Sequence, residues 1–293
     1  MKQPLTIASC QFSVEADIDH NAARILQQID EAAERGARLV HFSEAALSGY
    51  AGVDIPGTEA IDWDQLTKAS EAICQRASQR GVWVLLGSTH PLSGSNKPHN
   101  SVYVIDDRGQ VVERYDKRFC TGTLDPQPNL DLQHYSPGNH TTVFELDGYR
   151  CGVLICYDYR FPELYRELQQ QGVEIVLQSF HNARRSEEDH AAYNIWQQIV
   201  PATMMCRAAS NHFWISATNS MARCSSWPSF FVSPDGSLVD QLPAHSDGVL
   251  ISQVDPAAEF WDAAAPWRDR SIAGQLHSGE LLDDPRSQQR QSL

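Results

Sequence analysis

Three short stretches carry residue types suited to attack on a carbonyl-like carbon. Cys156 follows Val153, Leu154 and Ile155, an apolar, partly β-branched run that suits a buried strand. It precedes Pro162, Glu163, Leu164, Tyr165 and Arg166, which read as a helix with proline preset in its first turn. A thiol between a strand end and a helix amino terminus meets partial positive charge, so this setting is expected to favour thiolate over thiol. Glu44 closes a second apolar run, Arg38 to Phe42, and leads into a glycine-bearing loop. A carboxylate at a buried strand end is costly unless paired, and partial burial is expected to raise its pKa toward that of a general base. Lys117, in RYDKRFC, stands just past the second strand of a hairpin. If it points into a cleft, it supplies a fixed positive charge where an oxyanion forms. Taken singly, the cysteine is core filler, the glutamate a solvated loop residue and the lysine a surface charge. Together they fall just beyond the ends of strands, and in a sheet whose strands run the same way such ends converge on one crevice.

The elements that must position them alternate. Leu5 to Cys10 suits a strand, followed by a helix with Asp19 at its cap, Ile25, Leu26 and Ile29 on one face, and Gly36 at its end. The Arg38 strand, a helix over about Glu59 to Arg80 and a strand from Val82 to Gly87 come next. A hairpin, Asn100–Ile105 and Gln110–Tyr115, completes the first half. The second half repeats this order: strands at Thr142–Leu146, at the Cys156 run and at Val173–Leu177, then a helix over about Glu187 to Ala209 and a strand at Phe213–Ala217. A second hairpin, Phe230–Ser233 with Leu238–Gln241, and a closing strand at Val249–Val254 end it. Such an order argues for an α/β protein with two packed sheets and helices outside. Residues 1–265 read as a single domain. The polar stretch 266–293 reads as a disordered end or as an arm laid on another subunit.

Composition narrows the class. A hydrophobic share of 42% with 20% charged residues is that of a globular protein. A formal charge of −14 argues against phosphate-backbone binding, so no nucleic-acid partner is expected. No run is long enough for a membrane span, and the start lacks the apolar core of a signal peptide. Seven cysteines, none in a C-x-x-C pair or with zinc spacing, suit a reduced cytoplasmic enzyme without metal or other cofactor.

The motifs resemble those of the nitrilase superfamily of carbon–nitrogen hydrolases, in its amidase and carbamoylase branch. The resemblance lies in LVHFSEAALSGY, YDKRF and GVLICYDYRFPELYR, and continues through SPG at Ser136–Gly138, CRAASNHFWISATNS at Cys206–Ser220 and VSPDGSLVDQ at Val232–Gln241. It implies an αββα sandwich of two pseudo-repeated halves, with subunits pairing into four-layered homodimers or larger homo-oligomers. It also implies a Glu44–Lys117–Cys156 triad acting on a small-molecule substrate, an amide, carbamoyl compound or nitrile. Cys156 would attack, Glu44 would carry protons, and Lys117 with the Tyr157 backbone N–H would hold the oxyanion. Two departures stand out. Ser43 replaces a frequent proline, and no glutamate lies between Arg118 and Pro137, where many members carry a second one that orients the lysine. Asp131 and Asp125 are the candidate substitutes, Asp131 fitting the spacing to the turn better. For the substrate pocket the candidates are Tyr50, Arg160, His181, Asn182 and Arg184. Arg160 reads equally as a carboxylate binder or a fold-stabilising ion pair, whereas Arg184 with Arg185 has the alternative of a solvated run, which charge clusters usually form. A noncatalytic binding module of the same fold is the alternative outside enzymes.

Overall fold

The computed structural model describes residues 2–182, 195–222 and 224–291. The Asp17 side chain caps α1 (Ile18–Glu34) by accepting from the Asp19 and His20 N–H groups, so the expected cap, Asp19, sits inside the first turn. Asp62 caps α2 (Trp63–Arg80) in the same way, and Gly81 closes it in the left-handed conformation. The expected start of α2 at Glu59 is instead a separate 3₁₀ turn, Thr58–Ala60. The remaining helices are α3 (Asp131–His134), α4 (Pro162–Gln170), α5 (Trp196–Asn211), α6 (Arg268–Ile272) and α7 (Pro285–Gln288). The start of the expected helix near Glu187 lies outside the described residues.

Twelve described strands form two sheets of six. In the first, β1 (Leu5–Gln11), β2 (Leu39–His41) and β3 (Trp83–His90) are parallel. The hairpin β4 (His99–Ile105) and β5 (Val111–Asp116) extends one edge, and β12 (Gly248–Val254) returns antiparallel to β1 at the other. The second sheet copies the plan. Here β7 (Tyr149–Ile155), β8 (Ile175–Ser179) and β9 (Trp214–Thr218) are parallel, and β10 (Phe230–Val232) with β11 (Leu238–Gln241) forms the hairpin. The antiparallel edge strand is β6 (Val143–Leu146). The fold is thus an αββα sandwich of two similar halves, as the resemblance implied.

Strand alternation divides the core into layers. Val40, Phe42, Val84 and Leu86 join Ile25, Ile29, Ile73 and Ala77 of α1 and α2 in one buried cluster. Leu5, Ile7, Leu39 and Leu85 join Val153, Ile155, Ile175 and Leu177 in another, which also takes in Leu164 and Leu168 of α4 and Val200 and Met204 of α5.

Toward the ends of the parallel strands the layer between the sheets becomes polar. His41 on β2 is fully buried, and its Nδ1 lies 2.9 Å from both Ser216 Oγ and Thr218 Oγ1. Its Nε2 lies 3.0 Å from Ser179 Oγ, which in turn donates to the Phe42 carbonyl. Burial pushes the His41 pKa down to about 3, so the ring is a neutral cross-brace between the sheets. The Glu44 N–H donates to the Phe180 carbonyl at 3.2 Å, a main-chain link just beyond the ends of β2 and β8.

Residues 266–291 carry α6 and α7, with Trp267, Leu276, Leu281 and Leu282 exposed. Arg268 anchors the stretch by donating to the Ser210 carbonyl near the end of α5.

Candidate active site

Glu44 stands three residues past β2, where glycine in the neighbouring strand gives its backbone room. A Cβ on Gly87 of β3 would fall 2.0 Å from the Ser43 carbonyl oxygen and 2.9 Å from the Ala45 nitrogen. Ala45 itself takes a φ of 53°, an uncommon left-handed value for a residue with a side chain. Lys117 follows β5 directly. The register pairs Asp116 with Ser101, so the end of β5 lies against the start of β4 and the Lys117 N–H reaches the Asn100 carbonyl at 2.9 Å. The SPG turn closes on it from the other side. Gly138 donates to the Lys117 carbonyl at 2.8 Å, and a Cβ there would meet the Asp116 oxygen at 2.2 Å.

These constraints bring together a buried charged cluster. Glu44, Lys117 and Asp131 each have at most 3% of their side chains exposed. Lys117 Nζ donates to Glu44 Oε1 at 2.7 Å and to Asp131 Oδ2 at 2.7 Å. Glu44 Oε1 also accepts from Asn100 Nδ2 at 2.8 Å. Asp131 Oδ2 accepts from the Thr121 N–H at 3.0 Å, and its other oxygen accepts from the Tyr50 hydroxyl. Burial disfavours the ammonium, but the carboxylates of Asp131 and Glu44 overcome it and hold the Lys117 pKa well above its ordinary value. Asp131 is held below the usual carboxylate range: burial opposes ionisation, and the Lys117 charge with the donors around it prevails. Burial raises the Tyr50 pKa, which keeps its phenol a donor.

Cys156 follows β7 immediately and has a φ of 40°. A strained left-handed turn of this kind lifts a side chain off the end of a strand. The residue as a whole is half-buried. The expected thiolate is not the resting state. Burial and the nearby Glu44 carboxylate raise the Cys156 pKa well above its ordinary value, against the lowering effect of Lys117 and of a hydrogen bond from the His181 backbone N–H. The physical reason is distance. Cys156–Arg160 is a 3₁₀ turn and α4 begins only at Pro162, so the helix dipole, which fades within a turn, is too far along the chain to govern the sulfur. Glu44 Oε2 is buried and makes no directed hydrogen bond within the described residues, leaving that oxygen available to take a proton. Tyr157 is the second residue of the 3₁₀ turn, where a backbone N–H has no partner within the turn.

Asp158 braces this turn. Its carboxyl accepts from the Ile155 N–H at 3.1 Å, the Phe119 N–H at 2.9 Å and the Tyr115 hydroxyl at 2.9 Å, tying the nucleophile turn to the Lys117 segment. Burial lifts its pKa to about 6, against those donors.

Of the two candidate lysine-holding acids, Asp131 makes the contact. Asp125 lies on the exposed loop before Pro126 and makes no ion pair with Lys117. Tyr50 is one wall of the charged cluster, its ring 5.5 Å from Lys117 Nζ. Arg160 is exposed, and its guanidinium lies 4.4 Å from the Trp196 ring, 5.1 Å from Tyr159 and 5.5 Å from Tyr157. His181 is buried and stacked on Tyr50, with ring centroids 5.3 Å apart. Asn182 serves the fold, its side-chain oxygen accepting from the Ser226 N–H at 2.7 Å and its own N–H donating to Asn219 Oδ1 at 3.0 Å. Arg184 and Arg185 lie outside the described residues. Asn100, Asp54 and Asp158 were not singled out from sequence. For Asp158 the signal was present, an acid two residues after the nucleophile in a turn with no solvent-facing pattern. No group of His, Cys, Asp and Glu among the described residues suits a metal ion, and no described helix is long and apolar enough to cross a membrane.

Comparison with known proteins adds an independent line. A family model described as carbon–nitrogen hydrolase matches residues 6–261. The chloroplastic omega-amidase of Arabidopsis thaliana is 25% identical, over 86% of this chain and 69% of that protein. A deaminated glutathione amidase of Synechocystis is 28% identical, over 73% of this chain and 77% of that protein. Among solved structures, a mutant of the amidase from Nesterenkonia, with the acetamide moiety of fluoroacetamide added covalently at its active-site cysteine, superposes with a TM-score of 0.74. It is 22% identical and covers 93% of this chain and 97% of its own, a likeness of fold.

Proposed function

The chain belongs to the carbon–nitrogen hydrolase family, and from that premise we propose that it is a thiol amidohydrolase cleaving the C–N bond of a small linear amide or N-carbamoyl compound. The observation that carries the proposal is the buried Glu44–Lys117–Asp131 cluster bordering Cys156 on its strained turn. With the thiol protonated at rest, attack is coupled to proton transfer. The sulfur bonds to the carbonyl carbon as Glu44 takes the thiol proton. Lys117 stays an ammonium throughout, because two carboxylates hold its proton, and with the Tyr157 N–H it stabilises the tetrahedral oxyanion. Glu44 then passes the proton to the departing nitrogen, which leaves as ammonia or an amine and a Cys156 thioester remains. Water, losing a proton to Glu44, attacks the thioester. Its collapse releases the acid, and the proton on Glu44 returns to the sulfur.

The curated relatives named above are both amidases, which favours an amide over a nitrile. A noncatalytic role drew its support from the missing second glutamate, and the 2.7 Å contact from Asp131 to Lys117 removes that support. Asp131 acts here by holding Lys117, with the Tyr50 hydroxyl on its other oxygen. The test is ammonia release from a panel of amides, carbamoyl compounds and nitriles, with Cys156→Ser as the blank. Turnover of amides by the unmodified protein alone supports the reading, and equal release by both proteins refutes it.

A further inference from the structure

Beside the cluster, a part-buried carboxylate and a buried imidazole that the proposed reaction does not use meet: Asp54 and His181. Asp54 lies on the loop after β2, and its Oδ2 accepts from the Tyr50 N–H at 2.8 Å. The same oxygen lies 3.0 Å from His181 Nε2, whose side chain is 1% exposed. Apart from that contact, neither ring nitrogen of His181 has a hydrogen-bond partner among the described residues. The His181 ring stacks on Tyr50, and its main-chain N–H stabilises the Cys156 thiolate. One carboxylate thus joins the loop bearing Tyr50, from the first half, to the residue in the second half that touches the nucleophile.

We propose that Asp54 and His181 are a positioning pair: the carboxylate–imidazolium contact fixes the His181 main-chain N–H against the Cys156 sulfur and so promotes formation of the thiolate. The pair rests on the reading of Cys156 as nucleophile. The charged and titratable groups around His181 are Asp54, Glu44 and Lys117, with Tyr50 across the stack. Burial disfavours the imidazolium, but Asp54 outweighs it and raises the His181 pKa above its ordinary value, so the charged contact is lost as pH rises through that raised value.

The experiment is the rate of Cys156 alkylation by iodoacetamide near neutral pH, followed by peptide mass mapping, in the full-length protein. Below the thiol pKa this rate follows the thiolate fraction, and it needs no knowledge of the substrate. Asp54→Asn, His181→Asn and the double variant should each slow alkylation by the same factor, about tenfold, because each frees the same main-chain N–H to drift from the charged sulfur. Asp54→Glu, which keeps the charge, should restore most of the rate and guards against a folding artefact. In amide turnover, Asp54→Asn should lower kcat with little change in KM and abolish the decline that His181 titration causes on the alkaline side of the pH profile. Unchanged alkylation in either single variant, or single effects that multiply in the double variant, overturns the pair. Failure of every amide in the turnover panel would instead count against the hydrolase reading and leave the alkylation result to stand alone.

Discussion

Lowering the pH should unfold this protein through His41 in a way that one substitution can isolate. The ring is fully buried between the sheets and its pKa is depressed from 6.5 to about 3. In the unfolded chain it takes a proton below 6.5, whereas in the fold it resists until about 3. Its contribution to stability is therefore complete above 6.5 and is lost as pH falls toward about 3. Each unit is worth about 1.4 kcal/mol, so near pH 4.5 the loss is about 3 kcal/mol, against a total stability of about 5–15 kcal/mol. His41→Gln removes the titration and keeps a polar side chain for Ser179, Ser216 and Thr218. Urea unfolding at about pH 7 and about pH 4.5 should show the variant less stable at the higher pH. Its further loss on acidification should be smaller than that of the unmodified protein by about 3 kcal/mol. Carboxylates common to both proteins cancel in the comparison. Equal acid losses in the two proteins would refute the account of His41 as a neutral brace.

Three other substitutions test separate parts of the site. Asp158→Asn probes the opposite sign: its folded pKa of about 6, raised from 3.8, means its contribution declines as pH rises through that window. The variant's unfolding free energy should therefore gain about 3 kcal/mol more than the unmodified protein's between about pH 4 and pH 7, measured by the same urea titrations. Asp131→Asn leaves Glu44 as the one carboxylate on Lys117 and should lower amide turnover by about 10²-fold, read as kcat/KM from ammonia release; unchanged turnover would remove Asp131 from the mechanism. Gly87→Ala drives a Cβ to 2.0 Å from the Ser43 carbonyl and should cost about 1–3 kcal/mol in thermal unfolding, with lost activity from a displaced Glu44.

Much of this was legible from residue order. Apolar runs ending at Glu44 and Cys156, and the hairpin ending before Lys117, place those groups past strand ends, and the repeated order of elements implies two sheets. What resisted reading depended on contacts distant in sequence. Asp131 sits on a four-residue helix inside a loop, too short to leave a periodic signal. Asn100 reaches Glu44 because the pairing of β4 with β3, Thr89 against Asn100, brings it beside the segment after β2, and no local pattern encodes that pairing. The expected Cys156 thiolate reversed for a similar reason. The helix signal was correct, but the 3₁₀ turn before α4 and the charge of Glu44, distant in sequence, decide the proton. His41 reads as one polar residue in an apolar strand, and only the serines and threonine of β8 and β9 explain it.

The most direct test of the central claim is the intact mass of the protein quenched in acid during turnover of an amide it hydrolyses. The expected result is a fraction of the chain heavier by the acyl group, mapped to the Cys156 peptide and missing in Cys156→Ser. Ammonia release with no such adduct at any quench time, matched by equal release from Cys156→Ser, would contradict it.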